Sequence, residues 1–516
     1  MTARRAHGDG RGRSLFARAR SRGFRLLWLA VAAGAAVGAG SSGGGRVPDR
    51  RVVPLERPSF VVFLVDDLGW TDTGAYGSRF YETPHADRLA AEGARFTQFY
   101  AASPVCSPTR ASLMTGQHPA RLHLTNWIGG EEKGRLLPAD YIHALPLAEL
   151  TLGEAFQRAG YRTGYIGKWH LGAKGHMPGE QGFEFVLAVN EAGQPGSYFH
   201  PYESPERPIT NVPDLGDGAR GEYLTDRLTE EAVRFLRENR DRPFLLVLSH
   251  YAVHTPLQAK PQHVKKYERR AAGLPEPARP LLAPEGEAAV TKIRQDHPVY
   301  AGMVESMDES LGRVLETLDR LGLDSRTAVI FVSDNGGLST LRGSRPNIPT
   351  SNHPLRAGKG WLYEGGIRIP FVVRWPGVVE DGRVIDWPAV TMDLLPTLLD
   401  MARLPLLPRS HRDGVSLWSL LRGSPPPGPR DLHWHFPHYH GSGNTPSGAI
   451  RSGDLKLVEW FEKDRVELYD LARDPAESDD LAASRPRETA RLRQQLGAWR
   501  RSVDARMPSP NPDWPE

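Results

Sequence analysis

The chain has 516 residues, about three times the size of a usual single domain, which allows one large domain with an appendage or two to three domains. Apolar residues make up 39% and charged residues 24%, a balance that excludes a multi-span membrane protein and a disordered chain. A single cysteine, Cys106, excludes an intrachain disulfide, a cysteine-rich zinc site and a two-cysteine redox pair, while the formal charge of +4 points towards an acidic partner such as nucleic acid.

The position of the charge removes that last reading. Residues 1–50 hold ten arginines and two aspartates, a local balance of +8, so the rest of the chain sums to −4. Residues 26–39 form an uncharged, mostly apolar run between arginines and the small residues 38–42, the layout of a secretory signal peptide. At fourteen residues the run is shorter than the roughly 20 needed to span a bilayer, so no permanent membrane span is expected. Residues 1–45 therefore read as signal peptide and linker, and the protein as exported, periplasmic or secreted. Cleavage near residue 39 leaves the chain at −3 and removes the case for nucleic acid.

In chain order, Ser59–Val65 is an unbroken apolar run, the sign of a strand buried on both faces, and it leads straight into Asp66-Asp67. Thr83-Pro84 starts a helix with Thr83 as its cap. Thr151-Leu152-Gly153-Glu154 is a capping box opening a helix that Gly160 closes, with a strand over 161–167. Helical periodicity over 224–240 precedes a buried strand at 244–249; the same pair recurs as a helix over 299–321 and a strand over 328–333. This alternation predicts an α/β domain, residues 52–405, with a large, mostly parallel central sheet flanked by helices. From 406 to 516 a Pro-rich stretch, short strands at 449–451, 456–460 and 466–469, and a helix over 486–502 predict a smaller C-terminal α+β subdomain.

Ligand sites in parallel sheets lie beyond the carboxyl ends of the strands. Polar clusters follow four predicted strands directly: Asp66-Asp67, Lys168-Trp169-His170, residues 250–254 including His254, and Asp334-Asn335. Each pair taken singly is an ordinary turn. Together, adjacent carboxylates that repel one another and further oxygen donors after another strand favour a hard cation, Ca²⁺ or Mg²⁺. Cys106-Ser107-Pro108-Thr109-Arg110 reads as an exposed loop leading into a helix, and Lys359 is bracketed by Gly358 and Gly360.

These residues carry a resemblance. The sequence resembles the type I sulfatases of the arylsulfatase A-like branch of the alkaline phosphatase superfamily, over residues 59 to about 482. Cys106 to Gly116 fits the signature C-x-P-x-R-x-x-x-x-T-G. Four further segments agree in order: Val65-Asp66-Asp67-Leu68-Gly69, Gly167-Lys168-Trp169-His170-Leu171-Gly172, Ser333-Asp334-Asn335-Gly336-Gly337, and Gly358-Lys359-Gly360 through Arg368. Asp480 departs from the pattern, which has asparagine there. The resemblance implies that a formylglycine-generating enzyme converts Cys106 to formylglycine, whose hydrate is the nucleophile. It implies that Asp66, Asp67, Asp334, Asn335 and modified Cys106 hold a divalent ion, Ca²⁺ before Mg²⁺. It gives Arg110 and Lys168 the orientation of the hydrate, His254 and Lys359 the contacts to the sulfate ester, and His170 the role of base.

The expected substrate is a sulfated carbohydrate or a small aryl or alkyl sulfate. For its sugar part, the segment His433-Trp434-His435-Phe436-Pro437-His438-Tyr439-His440 offers His435 and His438 as substrate contacts, with packing between the two parts of the chain as the equal alternative. Trp127, Trp169 and Arg368 are further candidates for the wall. Two rivals stand beside the sulfatase reading: a phosphonate monoester or phosphodiester hydrolase on the same scaffold, and a non-catalytic glycan-binding pseudoenzyme.

Overall fold

The computed structural model describes residues 57–277, 280–343 and 347–515. The signal peptide and linker expected over 1–45 lie outside them. An eight-stranded sheet runs, in spatial order, through Arg383–Ile385, Ala94–Phe96, Phe371–Arg374, Thr327–Ser333, Ser59–Val65, Phe244–Ser249, Arg162–Gly167 and Phe185–Leu187. Only the pairings of Phe371–Arg374 are antiparallel, so this strand alone is reversed in a mostly parallel sheet.

The sheet is buried on both faces because its central strands are apolar at nearly every position, with Ser or Thr only at their ends. Along Ser59–Val65, Phe60, Val62 and Leu64 enter one core, and Val61, Phe63 and Val65 enter the other. The first core is covered by the helices Cys106–Thr115, Leu152–Arg158 and Leu394–Met401, through residues such as Leu113, Phe156 and Leu398. The second is covered by Pro84–Ala91, Leu224–Glu238 and Pro298–Arg320, through Leu89, Leu228 and Leu311. Full burial of each such side chain stabilises the fold by roughly 1.5–3 kcal/mol.

The capping box at Thr151 and Glu154 forms as read, with Thr151 Oγ1 accepting from Glu154 N at 3.2 Å. Thr83 behaves differently from the expected cap. Its hydroxyl accepts from Gly74 N and donates to Asp87, and the first helical N–H groups are taken instead by Asp308 of the Pro298–Arg320 helix, at 3.0 Å from His85 N and 2.8 Å from Ala86 N. The cap is supplied across the fold, where local sequence cannot show it.

After residue 405 the chain builds a four-stranded antiparallel sheet from Asp431–Phe436, Ser447–Ser452, Leu455–Trp460 and Arg465–Asp470. One face packs on the helix Pro486–Ser502 through Ile450, Leu457, Leu468, Leu492 and Leu496. The other packs on Tyr100, Val105, Trp361, Leu362 and Tyr363, segments that flank the site residues Cys106 and Lys359. Asp480, the departure from the family pattern, accepts from Leu468 N and Ala482 N through Oδ1, a bond an asparagine oxygen also makes. No helix among the described residues is long and apolar enough to cross a membrane.

Candidate active site

The four polar clusters leave the carboxyl ends of four adjacent parallel strands. In spatial order these are Thr327–Ser333, Ser59–Val65, Phe244–Ser249 and Arg162–Gly167, which deliver Asp334-Asn335, Asp66-Asp67, the 250–254 segment and Lys168 respectively. The side chains meet. Lys168 Nζ lies 2.6 Å from Asp66 Oδ2, Lys359 Nζ 2.7 and 2.8 Å from the two Asp67 oxygens, and Arg110 Nε 2.8 Å from Asp334 Oδ2. Asn335 donates to Asp67 Oδ1 at 2.8 Å, and Asp67 N donates to Asp334 Oδ1 at 3.1 Å. All of these side chains are buried.

Cys106 stands among them in a position the sequence did not indicate. Instead of an exposed loop, it is the first residue of the buried helix Cys106–Thr115, only 3% exposed. Pro108 and Arg110, which composition alone had placed at the surface, are buried with it, and Arg110 is held by Asp334, Lys168 O and Ser249. The Cys106 Sγ and one oxygen each of Asp66 and Asp67 lie within 4.8 Å of one another. The helix N-terminus adds a positive field at that point. Burial pushes the Cys106 thiol up, outweighing the downward pull of Lys168 and Lys359, so at neutral pH an unmodified Cys106 is a protonated, unreactive thiol.

The donor set fits a hard divalent cation. It is made of carboxylate and amide oxygens, and two of them, Asp66 Oδ1 and Asn335 Oδ1, are buried with no hydrogen-bond partner. Asp67 also holds a left-handed backbone, φ 60°, at a cost of about 1 kcal/mol, as residues at functional sites often do. The carboxylates do not behave alike. Burial and repulsion from Asp334 and Asp67 push Asp66 up against the pull of Lys168. Burial also opposes ionisation of Asp67 and Asp334, but Lys359 for the one and Arg110 for the other hold them below the ordinary range.

Two histidines border the cluster. His254 Nε2 is 3.7 Å from Asp67 Oδ2, and its Nδ1 donates to Thr255 O at 2.9 Å. Burial, then Lys359, push it down to about 3, so the ring is neutral when no further anion faces it. His170 bonds Ile128 O through Nε2 at 3.3 Å, leaving Nδ1 buried without a partner. Burial, helped by Lys168 and Arg110, holds His170 well below its usual range. Its ring is seated against Gly193, where a Cβ would lie 2.2 Å from the ring. Gly360 is likewise packed and not merely flexible, since a Cβ there would meet His440 at 2.3 Å.

The remaining candidates are not brought in. His435 and His438 are 2% and 0% exposed. His435 bonds Arg506 O, and His438 bonds Thr125 Oγ1, so the packing alternative describes both. Trp169 is core, edge-on to Tyr165 with its Nε1 on His176 O. Arg368 is held by Thr97 O and Glu364 and lies over the Trp70 ring. Trp127 is partly buried beside the C-terminal sheet core.

Three participants were missed. Ser249 accepts from Arg110 and donates to Lys168 O, fixing both cations. Asn352 Nδ2 bonds the carbonyls of Gly337, Ala357 and Gly365, tying the Asp334 and Lys359 loops together, and no motif marks it. His440, behind Gly360, is the histidine of its segment that reaches the site. Pro437, which ends the Asp431–Phe436 strand, was the available signal that the chain turns there.

The chain is similar to known proteins along most of its length. A sulfatase family model matches residues 58–404, and a model described as N-sulphoglucosamine sulphohydrolase, C-terminal, matches 357–502. Steryl-sulfatase from Rattus norvegicus is 30% identical over 89% of this chain and 91% of its own, and N-acetylgalactosamine-6-sulfatase from the same organism is 34% identical over 78% and 71%. The crystal structure of Ps i-CgsB in complex with k-i-k-neocarrahexaose superposes with a TM-score of 0.72 at 26% identity, covering 89% of this chain and 95% of that one. The chain belongs to the sulfatase family, on an alkaline phosphatase-like fold, and is an enzyme that hydrolyses sulfate esters.

Proposed function

We propose that the enzyme releases inorganic sulfate from a sulfated carbohydrate through a formylglycine made from Cys106 by a formylglycine-generating enzyme, with Ca²⁺ as its ion. The observation that carries this reading is Cys106 itself. It sits at a helix N-terminus, within reach of Asp66 and Asp67, in a setting that disables a thiol and suits an oxygen nucleophile. Asp66, Asp67, Asp334 and Asn335 would hold the ion with the residue at 106. Carboxylate and amide oxygens of this kind suit Ca²⁺, which accepts flexible coordination, more readily than Mg²⁺, which demands a strict octahedron. When bound, the ion supplies positive charge beside the sulfate oxygens. The aldehyde hydrate supplies a nucleophile with a second hydroxyl able to expel sulfate.

The protein's own groups do the rest. Arg110 and Lys168, fixed through Ser249 and Asp66, orient residue 106. Lys359 remains charged, because Asp67 outweighs its burial, and binds the ester's anionic oxygens. His254 gains a proton when the ester's negative charge faces it and passes that proton to the leaving alcohol; His170, kept neutral, accepts one at Nδ1. We take 52–405 as the catalytic part, 406–516 as the C-terminal subdomain, and the protein as exported after loss of the arginine-rich start.

The carbohydrate reading is supported by the N-acetylgalactosamine-6-sulfatase relative and by the neocarrahexaose complex of Ps i-CgsB. The steryl-sulfatase relative favours a sterol sulfate as the second reading. Sulfate release from defined sulfated saccharides and from a steroid sulfate decides between them. Comparison of 4-nitrophenyl sulfate, phosphate and phenylphosphonate esters tests the reaction class, with sulfate expected to be the best substrate. Mass spectrometry of the Cys106 peptide should show loss of the thiol; an unmodified cysteine in active enzyme overturns the formylglycine step.

A further inference from the structure

We propose that Tyr141 is a positioning residue for His170: it braces the turn whose carbonyl fixes the His170 ring with Nδ1 free. This rests on the reading of His170 as the base. The turn is Trp127–Gly130, closed by Gly130 N donating to Trp127 O at 3.0 Å. Its second residue, Ile128, joins nucleophile and base through its backbone. Ile128 N donates to Oγ of Ser107, the neighbour of Cys106, at 3.1 Å, and Ile128 O bonds His170 Nε2 at 3.3 Å. A carbonyl only accepts, so this bond puts the ring proton on Nε2 and leaves the lone pair on Nδ1, the buried nitrogen without a partner.

The direction of that carbonyl depends on the next residue. The peptide joining Ile128 to Gly129 is the central one of the turn, and its orientation separates type I from type II. Gly129 has φ 106°, in the left-handed region that type II, but not type I, demands at the third position. The turn has little packing of its own to keep this orientation. Gly129 is exposed and Ile128 only half-buried, whereas His170 is 4% exposed.

Tyr141 supplies the hold. Its hydroxyl donates to the carbonyls at the two ends of the turn, Trp127 O and Gly130 O, each at 3.0 Å, a three-centre bond that spans it. The Tyr141 ring is seated in turn, edge-on to the buried His438 with centroids 5.3 Å apart and tilted against His143 at 4.5 Å. His438 is tied to Thr125 Oγ1 at 2.8 Å, two residues before the turn. The brace therefore runs from the C-terminal subdomain through Tyr141 to the turn, and from the turn to the base.

The test uses the full-length matured enzyme and 4-nitrophenyl sulfate. The alcohol leaves before the step assigned to His170, in which Nδ1 takes the proton of the second hydroxyl as sulfate departs. A variant that disturbs only this base lowers kcat, keeps kcat/KM within about twofold and gives a burst of 4-nitrophenol. His170→Ala shows the full effect. Tyr141→Phe should show the same pattern, with kcat down about fivefold or more, and Gly129→Ala, strained at its positive φ, should move the same way. In the His170→Ala background, Tyr141→Phe should change kcat by less than about twofold, because the group it acts through is gone. Hydrogen exchange over residues 126–131, measured in the Cys106→Ala chain without turnover, should speed up when Tyr141→Phe is added. Phenylalanine keeps the ring contacts, so the variant folds; its melting temperature confirms this. If His170→Ala leaves kcat and the burst unchanged, the base role falls and the positioning role with it. If His170→Ala shows the pattern and Tyr141→Phe does not, or if Tyr141→Phe costs the same in both backgrounds, the positioning role alone is overturned. Unchanged exchange over 126–131 overturns the brace.

Discussion

At the carboxyl ends of the central strands, Asp66, Asp67 and Asp334 face Arg110, Lys168 and Lys359; beneath the C-terminal sheet, Glu364 and Glu477 face Lys456, at 2.9 and 2.8 Å. Both clusters are fully buried and both mix carboxylates with cations, yet they are built for different ends. In the interface triad each carboxylate has a further partner, Tyr100 OH for Glu364 and Glu364 N for Glu477, and the group joins the catalytic core to the C-terminal sheet. Both clusters leave buried oxygens without a hydrogen bond, Asp66 Oδ1 and Asn335 Oδ1 in the one and Glu477 Oε1 in the other, and each holds one carboxylate on left-handed backbone, Asp67 at φ 60° and Glu477 at φ 52°. Neither buried charge nor left-handed backbone marks a site by itself; the strand-end cluster differs in its donor set, carboxylate and amide oxygens gathered beside Cys106.

Four experiments press on this difference. Removing the nucleophile is expected to act on function alone: Cys106→Ala should lower aryl sulfate turnover by roughly 10⁴-fold or more, with stability within about 1 kcal/mol of wild type in urea unfolding. Near-normal turnover would take Cys106 out of the reaction. The triad should answer in the opposite sense. Lys456→Met leaves two buried carboxylates facing each other and should cost about 3–5 kcal/mol in the urea midpoint, with kcat on a soluble aryl sulfate at 25 °C retained by the folded fraction. Unchanged stability would show that packing, not charge, holds the interface.

Metal binding separates the clusters next. Chelation should lower the melting temperature, and Ca²⁺ at 100 times its Kd should return about 2.7 kcal/mol. The Lys456→Met chain should respond equally, and Asp334→Asn should respond much less. A response that survives Asp334→Asn would move the ion elsewhere.

The smallest effect is a pH slope. Burial, with Glu364 beside it, pushes Glu477 up from 4.5 to about 7 despite the pull of Lys456. The folded state therefore binds this proton more tightly than the unfolded one. The resulting stability is fully present below about pH 4.5 and is lost as pH rises through about 7, amounting to about 3 kcal/mol. Unfolding at pH 5, 6 and 7 should show this slope in wild type and a flatter one in Glu477→Gln; parallel curves would place the proton on another group.

Much of the fold was legible because its central strands are buried on both faces and so appear as unbroken apolar runs, each ending in the polar residues it delivers. The helices over 224–238 and 298–320 were legible from their period. The first C-terminal strand was not, since His433, His435 and their neighbours read as a binding segment when composition alone is weighed. Pairing with Ser447–Ser452 and burial on Tyr100 and Val105 turn that segment inward. Asn352 and Ser249 escaped notice because each acts on backbone carbonyls of segments far away in the chain.

The sequence by itself determined the α/β alternation, the signature at Cys106 and the oxygen donors of the strand ends, because these follow from local pattern and from chemistry that tolerates few residue types. Tertiary structure alone decided that Cys106 is buried at a helix start, that Asp308 caps a helix more than 200 residues away in the chain, and that His440 rather than His435 or His438 backs the site. The physical reason is the same in each case. Burial, charge pairing and the direction of a side chain depend on which distant segment covers it, and no window of sequence contains that segment.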